Sequence, residues 1–228
     1  MFRKNRPLIA LPVDDKNLED VLKKAKEKSI DIIELRIDQF SNLDISYIKE
    51  KAKLVKDYNF FLLATVRCKE EGGTDIPDQD RLNIFSEISQ FADILDIELK
   101  SQINREVIKL AYEKGKMSLV SYHDFEKTPD EEEIQSIIDE ASKLNPDIIK
   151  YAFSVKNIDD VGRILSVTHK NRDKNLVAIG MGELGKITRV AGFFFGSVIS
   201  YTFIGKSFAP GQIEADRLIE EMKFYRIY

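Results

Sequence analysis

The chain has little of what builds a covalently or metal-stapled scaffold. It contains one cysteine, Cys68, in 228 residues. That excludes an intrachain disulfide and a cysteine-rich zinc site. No apolar run reaches the length needed to span a bilayer; the longest, 191–204, is broken by Gly196, Ser200 and Thr202. Neither charge sign dominates. Lys plus Arg is 35 and Asp plus Glu is 39, a net charge of −4, which gives no electrostatic reason to expect nucleic acid or an anionic membrane as a partner. The basic N-terminus, residues 1–7, leads into a short apolar run without a small-residue cleavage site. It reads as the lead into a strand, and the expected location is the cytoplasm. No stretch of biased composition marks a linker, so one domain over 1–228 is expected. With 43% apolar and 32% charged residues, the chain can bury a core and solvate a surface, which excludes a disordered protein.

One unit recurs along the chain: a short β-rich run, a turn, then a charged amphipathic stretch. The β runs are 8–13, 31–38, 60–67, 94–99, 117–123, 147–153, 176–181 and 198–204, eight in all. The helical stretches between and after them are 17–28, 45–58, 81–91, 104–114, 130–143, 158–170, 186–194 and 213–225. In the first, Leu18, Val21, Leu22 and Ala25 share one face. Thr128-Pro129-Asp130-Glu131 reads as a helix start with Thr128 as cap, and Gly115 reads as a helix stop. Eight alternating β and α units argue for a parallel sheet. The nearly continuous apolar strands suit burial on both faces. Closure into a (β/α)8 TIM barrel, an α/β fold, removes both sheet edges; an open doubly wound sheet is the competing layout.

Gly180-Met181-Gly182-Glu183-Leu184-Gly185 matches the dinucleotide-binding glycine pattern after a strand. No acidic residue stands near the position about 20 residues on, and too little chain follows to complete a nucleotide-binding domain. A glycine-rich strand-to-helix loop is the better reading.

Charged residues gather where strands end. Glu34, Arg36 and Asp38 alternate with Leu35 and Ile37, so the three share one strand face. Barrel interiors are normally filled by bulky aliphatics, so inward charges must be mutually paired or used. Asp96 and Glu98 form a second inward pair. Arg67 ends the third β run; its guanidinium fork suits a carboxylate or phosphate, although a rim arginine can simply snorkel. His123 ends the fifth run, where a group titrating near neutrality can move protons. The other histidine, His169, sits near a helix C-terminus and reads as a helix-end cation. Lys150 lies inside the apolar run 147–153. Burial there penalises the ammonium form, and a neutral amine can attack a ketone to form an imine that acidifies the adjacent carbon.

Together these segments resemble the type I 3-dehydroquinate dehydratases. The matching pieces are Glu34-Leu35-Arg36-Ile37-Asp38, Thr65-Val66-Arg67 with Glu71-Gly72-Gly73, Ser121-Tyr122-His123-Asp124, Ile149-Lys150, Met181-Gly182 through Arg189, and Ala209-Pro210-Gly211-Gln212. They stand in the family's order and cover nearly the whole chain. The resemblance implies a (β/α)8 barrel, usually a homodimer, that converts 3-dehydroquinate to 3-dehydroshikimate in the shikimate pathway without metal or organic cofactor. It implies that Lys150 forms the Schiff base, that His123 is general base and acid, and that Glu71 orients His123. It further implies that Glu34, Arg36, Arg67, Arg189 and Gln212 hold the substrate, with Arg189 on its carboxylate. Two positions depart from the pattern: Ala10 and Phe208 stand where many relatives carry a serine, with Ser207 one position before the second. The short N-terminal segment implies that strands closing the barrel's bottom are small or absent. The loop 205–212 is the expected lid.

Two other readings compete. A class I aldolase or transaldolase would use Lys150 for carbon–carbon cleavage, but no clear phosphate-binding glycine loop follows the seventh and eighth strands. A metabolite-binding barrel without catalysis would not need both Lys150 and His123.

Overall fold

The computed structural model describes residues 6–227. Its strands are β1 (Leu8–Val13), β2 (Ile32–Arg36), β3 (Phe61–Thr65), β4 (Ile94–Glu98), β5 (Met117–Asp124), β6 (Ile148–Ser154), β7 (Leu176–Met181), β8 (Ile199–Phe203) and the two-residue β9 (Ile213–Glu214). Its helices are α1 (Leu18–Glu27), α2 (Ile45–Asp57), α3 (Asp78–Ile88), α4 (Asn104–Glu113), α5 (Glu131–Ser142), α6 (Ile158–Lys170), α7 (Ile187–Phe195) and α8 (Ala215–Phe224). Strands β1 to β7 pair in chain order, all parallel, and β8 pairs with β1. The ring closes between β7 and β8 through the Leu176–Ser197 bridge, where Val198 N donates to Leu176 O at 2.8 Å. The fold is the expected (β/α)8 barrel. The expectation that strands closing the barrel's bottom are small or absent falls mainly on residues 1–5, which lie outside the described residues.

Strand alternation divides the core into two layers. Ile33, Leu35, Leu62, Ala64, Leu95 and Ile97 face outward and pack against the helices. Leu8, Ile32, Leu63, Ile94, Leu119, Ile148, Val177 and Ile199 fill the barrel interior. The inward positions nearer the strand C-termini are Glu34, Asp96, Glu98, Ser121 and Lys150, all buried. The interior is thus apolar at the end where strands enter and charged at the end where they exit, the end where barrel enzymes carry their sites.

Four local readings are revised. The chain leaves β2 at Arg36 and turns through a 3₁₀ segment, Ile37–Gln39, so Asp38 folds back onto Arg36 instead of continuing the strand face. Helix α3 starts at Asp78, directly after Pro77, which carries Arg81 inward. Asp130, not Thr128, caps α5, accepting from Glu133 N at 2.8 Å, while Thr128 Oγ1 donates to Ser154 O. Helix α8 begins only at Ala215 because Ile213 and Glu214 pair with Thr202 and Phe203 of β8.

The glycine-rich turn after β7 is a strand-to-helix loop, as expected, and it is also a packing device. A Cβ on Gly185 would lie 2.4 Å from the carbonyl carbon of Gly180, so the α7 entry rests directly on the strand. Gly211, with φ 74°, lies so close to Gly182 that a Cβ would meet its carbonyl oxygen at 2.2 Å. These contacts seat the β8–α8 loop beside the β7 exit. Among the described residues, no helix is long and apolar enough to cross a membrane.

Candidate active site

A cavity opens at the C-terminal end of the barrel. Glu34, Arg36, Arg67, Glu71, His123, Lys150, Arg189 and Gln212 all line it. The eight site residues expected from sequence therefore converge on one space, although they come from six strand–helix units. Parallel register explains the convergence. Ser121 of β5 pairs with Lys150 of β6, and His123 is two residues further along β5 on the same inward face.

The cavity floor is a buried ion network. Arg67 Nη1 donates to Glu98 at 3.0 Å and to Ser121 Oγ at 2.6 Å; its Nη2 donates to Asp96 at 2.8 Å. Arg81 reaches in from α3, with Nη2 on Glu98 and Nε on Val66 O. Burial opposes the charge on Arg67, but Asp96, Glu98 and Glu71 outweigh it and hold the guanidinium well above its usual range. Burial would also raise the Asp96 carboxyl, yet Arg67 and Lys150 keep it below the usual carboxylate range. Both terminal Arg67 nitrogens are thus engaged by protein groups, even though the side chain faces the cavity. Arg36 is similarly clamped, with Nε and Nη2 on the two oxygens of Asp38 at 3.0 and 2.7 Å. Asp96, Glu98, Ser121 and Arg81 supply the framework, and Arg81 escapes a sequence reading because its helix starts earlier than its apolar pattern.

Lys150 is 5% exposed. Its Nζ lies 3.5 Å from Asp96 Oδ2, 3.8 Å from Glu34 Oε1 and 3.3 Å from the Tyr201 hydroxyl. Glu34 is itself held by Thr65 Oγ1, which donates to Oε1 at 2.7 Å. The amine is therefore buried and fixed, and it borders open space on the cavity side.

His123 pairs with Glu71 twice: its backbone N donates to Oε2 at 3.1 Å, and Nδ1 lies 2.8 Å from the same oxygen. An oxygen that already accepts from a backbone N–H suits a second donor, so Nδ1 carries the proton and Nε2 the lone pair. Burial, then Arg67, Lys150 and Arg36, push His123 well below the usual histidine range. Burial also raises Glu71 to about 8, against the pull of Arg67. Nearby cations and a partner kept from ionising both favour the neutral ring. Protonating His123 removes the lone pair, so the acid limb of kcat/KM should lie well below the ordinary histidine range and fall about tenfold per pH unit there. A pH–rate profile checks this, and an acid limb at or above pH 6.5 would contradict it.

Arg189 is the unpaired group. It is 4% exposed, and its Nε donates to Gly211 O at 2.9 Å. Its Nη2 is buried without a partner, and no carboxylate pairs with it among the described residues. Burial lowers it to about 10, still charged at neutrality. Such an arrangement fits an anionic ligand. Gln212 has its carbonyl oxygen fixed by Phe208 N at 2.7 Å and Ser207 Oγ at 3.1 Å, while no hydrogen bond engages Nε2 among the described residues. Ser207 is turned into its own loop, its hydroxyl donating to Ala209 O, and Phe208 faces the cavity in its place. Ala10 lies in the barrel's inner core, leaving Pro12 of β1 at the cavity wall. Lys206 Nζ, 2.8 Å from Asp14 Oδ2, ties the 205–212 loop to the end of β1. Burial pushes the Cys68 thiol up to about 12, which disfavours the thiolate form.

Comparison with known proteins gives one consistent result. The family described as Type I 3-dehydroquinase matches residues 9–227. The 3-dehydroquinate dehydratase of Aquifex aeolicus (strain VF5) is 40% identical over 222 residues, covering 96% of this chain and all of that protein. Its crystal structure superposes with a TM-score of 0.89, covering 96% of this chain and 98% of that one. The type I enzyme of Clostridium difficile, solved with covalently modified comenic acid, is 32% identical with a TM-score of 0.89, covering 99% of this chain and 94% of that one.

Proposed function

Because the chain belongs to the type I 3-dehydroquinase family, a family of hydro-lyases, we propose that it dehydrates 3-dehydroquinate to 3-dehydroshikimate through an imine on Lys150. The observation that carries this reading is a buried amine and an imidazole held by Glu71 on adjacent strands of one cavity, with an arginine on its wall that has no carboxylate partner among the described residues. The Lys150 amine attacks the ketone, and the carbonyl oxygen leaves as water. The resulting iminium draws electrons from the adjacent carbon, so a weak base suffices to remove its proton. His123 Nε2 takes that proton and then delivers one to the departing ring hydroxyl. Glu71 holds the imidazole in the tautomer the first step needs. Hydrolysis of the product imine frees Lys150. The chemistry draws on no metal or cofactor, since the iminium is itself the electron sink.

The substrate's carboxylate is assigned to Arg189. Glu34, Gln212 and the remaining Nη1 of Arg36 are assigned to its hydroxyls, with Arg67 beneath them as the fixed cation of the floor. The proposed setting is a cytoplasmic homodimer in the shikimate pathway to aromatic amino acids, acting on a small molecule and on neither nucleic acid nor membrane. Adding 3-dehydroquinate to the protein should raise the absorbance of a conjugated enone; no rise at saturating substrate would overturn the assignment. Arg189→Ala should raise KM about 10–100-fold, the loss of a charged hydrogen bond, with kcat changed only a few-fold. Steady-state kinetics checks this, and an unchanged KM would remove Arg189 as the carboxylate partner.

A further inference from the structure

Tyr201 stands on β8 beside Ala10 of β1, with its side chain in the barrel interior and 3% exposed. Its ring centroid lies 4.5 Å from Lys150 Nζ, and its hydroxyl oxygen accepts from that Nζ at 3.3 Å. Both side chains line the same cavity. A buried phenol ordinarily engages both its oxygen and its proton. Here the amine is the hydroxyl's sole hydrogen-bond partner among the described residues. While the oxygen accepts from the amine, the O–H proton therefore has no acceptor among the described residues. An unused donor beside the nucleophile, facing open space, marks a place for an acceptor atom of the substrate.

We propose that Tyr201 is a further catalytic residue, donating a hydrogen bond to the carbonyl oxygen of the carbon that Lys150 attacks. The assignment rests on the imine reading above. As the N–C bond forms, the π electrons of the carbonyl move to that oxygen, whose developing charge the phenol stabilises. One amine proton passes to the oxygen and a second comes from solvent, so the nitrogen keeps its other proton as the iminium. The C–O bond then breaks, water leaves, and the nitrogen lone pair forms the C=N bond. Tyr201 keeps its own proton throughout. Burial, with Glu34 and Asp96 nearby, pushes its hydroxyl well above the usual tyrosine range, so it stays a donor. The cavity lacks a serine at Ala10 and at Phe208, and Tyr201 brings a hydroxyl to the attacked carbon itself.

Tyr201→Phe tests this, because it keeps the ring over the amine and removes only the hydroxyl. The protein is mixed with saturating 3-dehydroquinate, quenched into borohydride at successive times, and the Lys150 adduct is followed by mass. The variant should form the adduct about 100-fold more slowly, as for loss of one preorganised oxyanion donor, yet reach the wild-type final level. The final level reports the folded, competent fraction and the rate reports the chemistry. A wild-type rate in the variant, with either a full or a reduced final level, would overturn the role of Tyr201 alone. A wild-type protein that traps no adduct would overturn the imine reading and this assignment with it.

Discussion

Lys150→Ala is expected to lower turnover of 3-dehydroquinate by on the order of 10⁴–10⁶-fold, the scale seen when a covalent nucleophile is removed. No neighbouring group can replace it. The other lysines that line cavities or join ion pairs near the rim, such as Lys100 and Lys206, reach other surfaces: Lys100 lies over the Tyr122 ring and Lys206 pairs with Asp14. The fold should tolerate the change. Asp96 keeps Arg67 and Ser121 as partners, and Glu34 keeps Thr65, so no carboxylate is left alone. The variant should therefore remain folded and bind substrate through Arg189 while forming no covalent adduct. Residual turnover within tenfold of wild type would end the assignment of Lys150.

His123→Ala is expected to separate the two halves of the reaction. The ring lies on the strand next to Lys150, positioned by Glu71, and in the proposed scheme it moves protons only after the imine exists. Its loss should cut enone formation by about 10²–10⁴-fold, the usual contribution of a positioned acid or base. The imine should still form and accumulate, so a borohydride-stable mass increase should persist while the absorbance barely rises. Undiminished turnover in this variant would remove His123 from its role. Absence of the adduct as well would mean that His123 is also needed for imine formation.

Much of this site was legible because strands of a parallel barrel carry a simple code. An inward position should be aliphatic, so a charge there stands out; Lys150 in Ile148-Ile149-Lys150-Tyr151 and Glu34 in Ile33-Glu34-Leu35 do so without any structure. The eight repeats likewise announce the barrel, and the strand C-termini announce the face that works. Three features were not legible, each for a physical reason. Asp38 left the shared face because the chain turned through a 3₁₀ segment, which alternation does not reveal. Arg81 only opens the expected helix 81–91, and it is the earlier start of α3 at Asp78 that aims it at Glu98. Tyr201 reads as aromatic core in Ile199-Ser200-Tyr201-Thr202-Phe203, and only the closed ring brings β8 across from β6 so that its hydroxyl meets the amine. Pairing between distant segments decides such cases, and period-two patterning carries no information about it.

The central claim is that Lys150 becomes covalently bonded to the substrate, and mass spectrometry after borohydride reduction in the presence of 3-dehydroquinate tests it most directly. One stable adduct per chain, mapped to the peptide bearing Lys150 and absent from Lys150→Ala, is the predicted result. An unmodified mass in protein that is turning over substrate, or an adduct mapped to any other lysine, would contradict it.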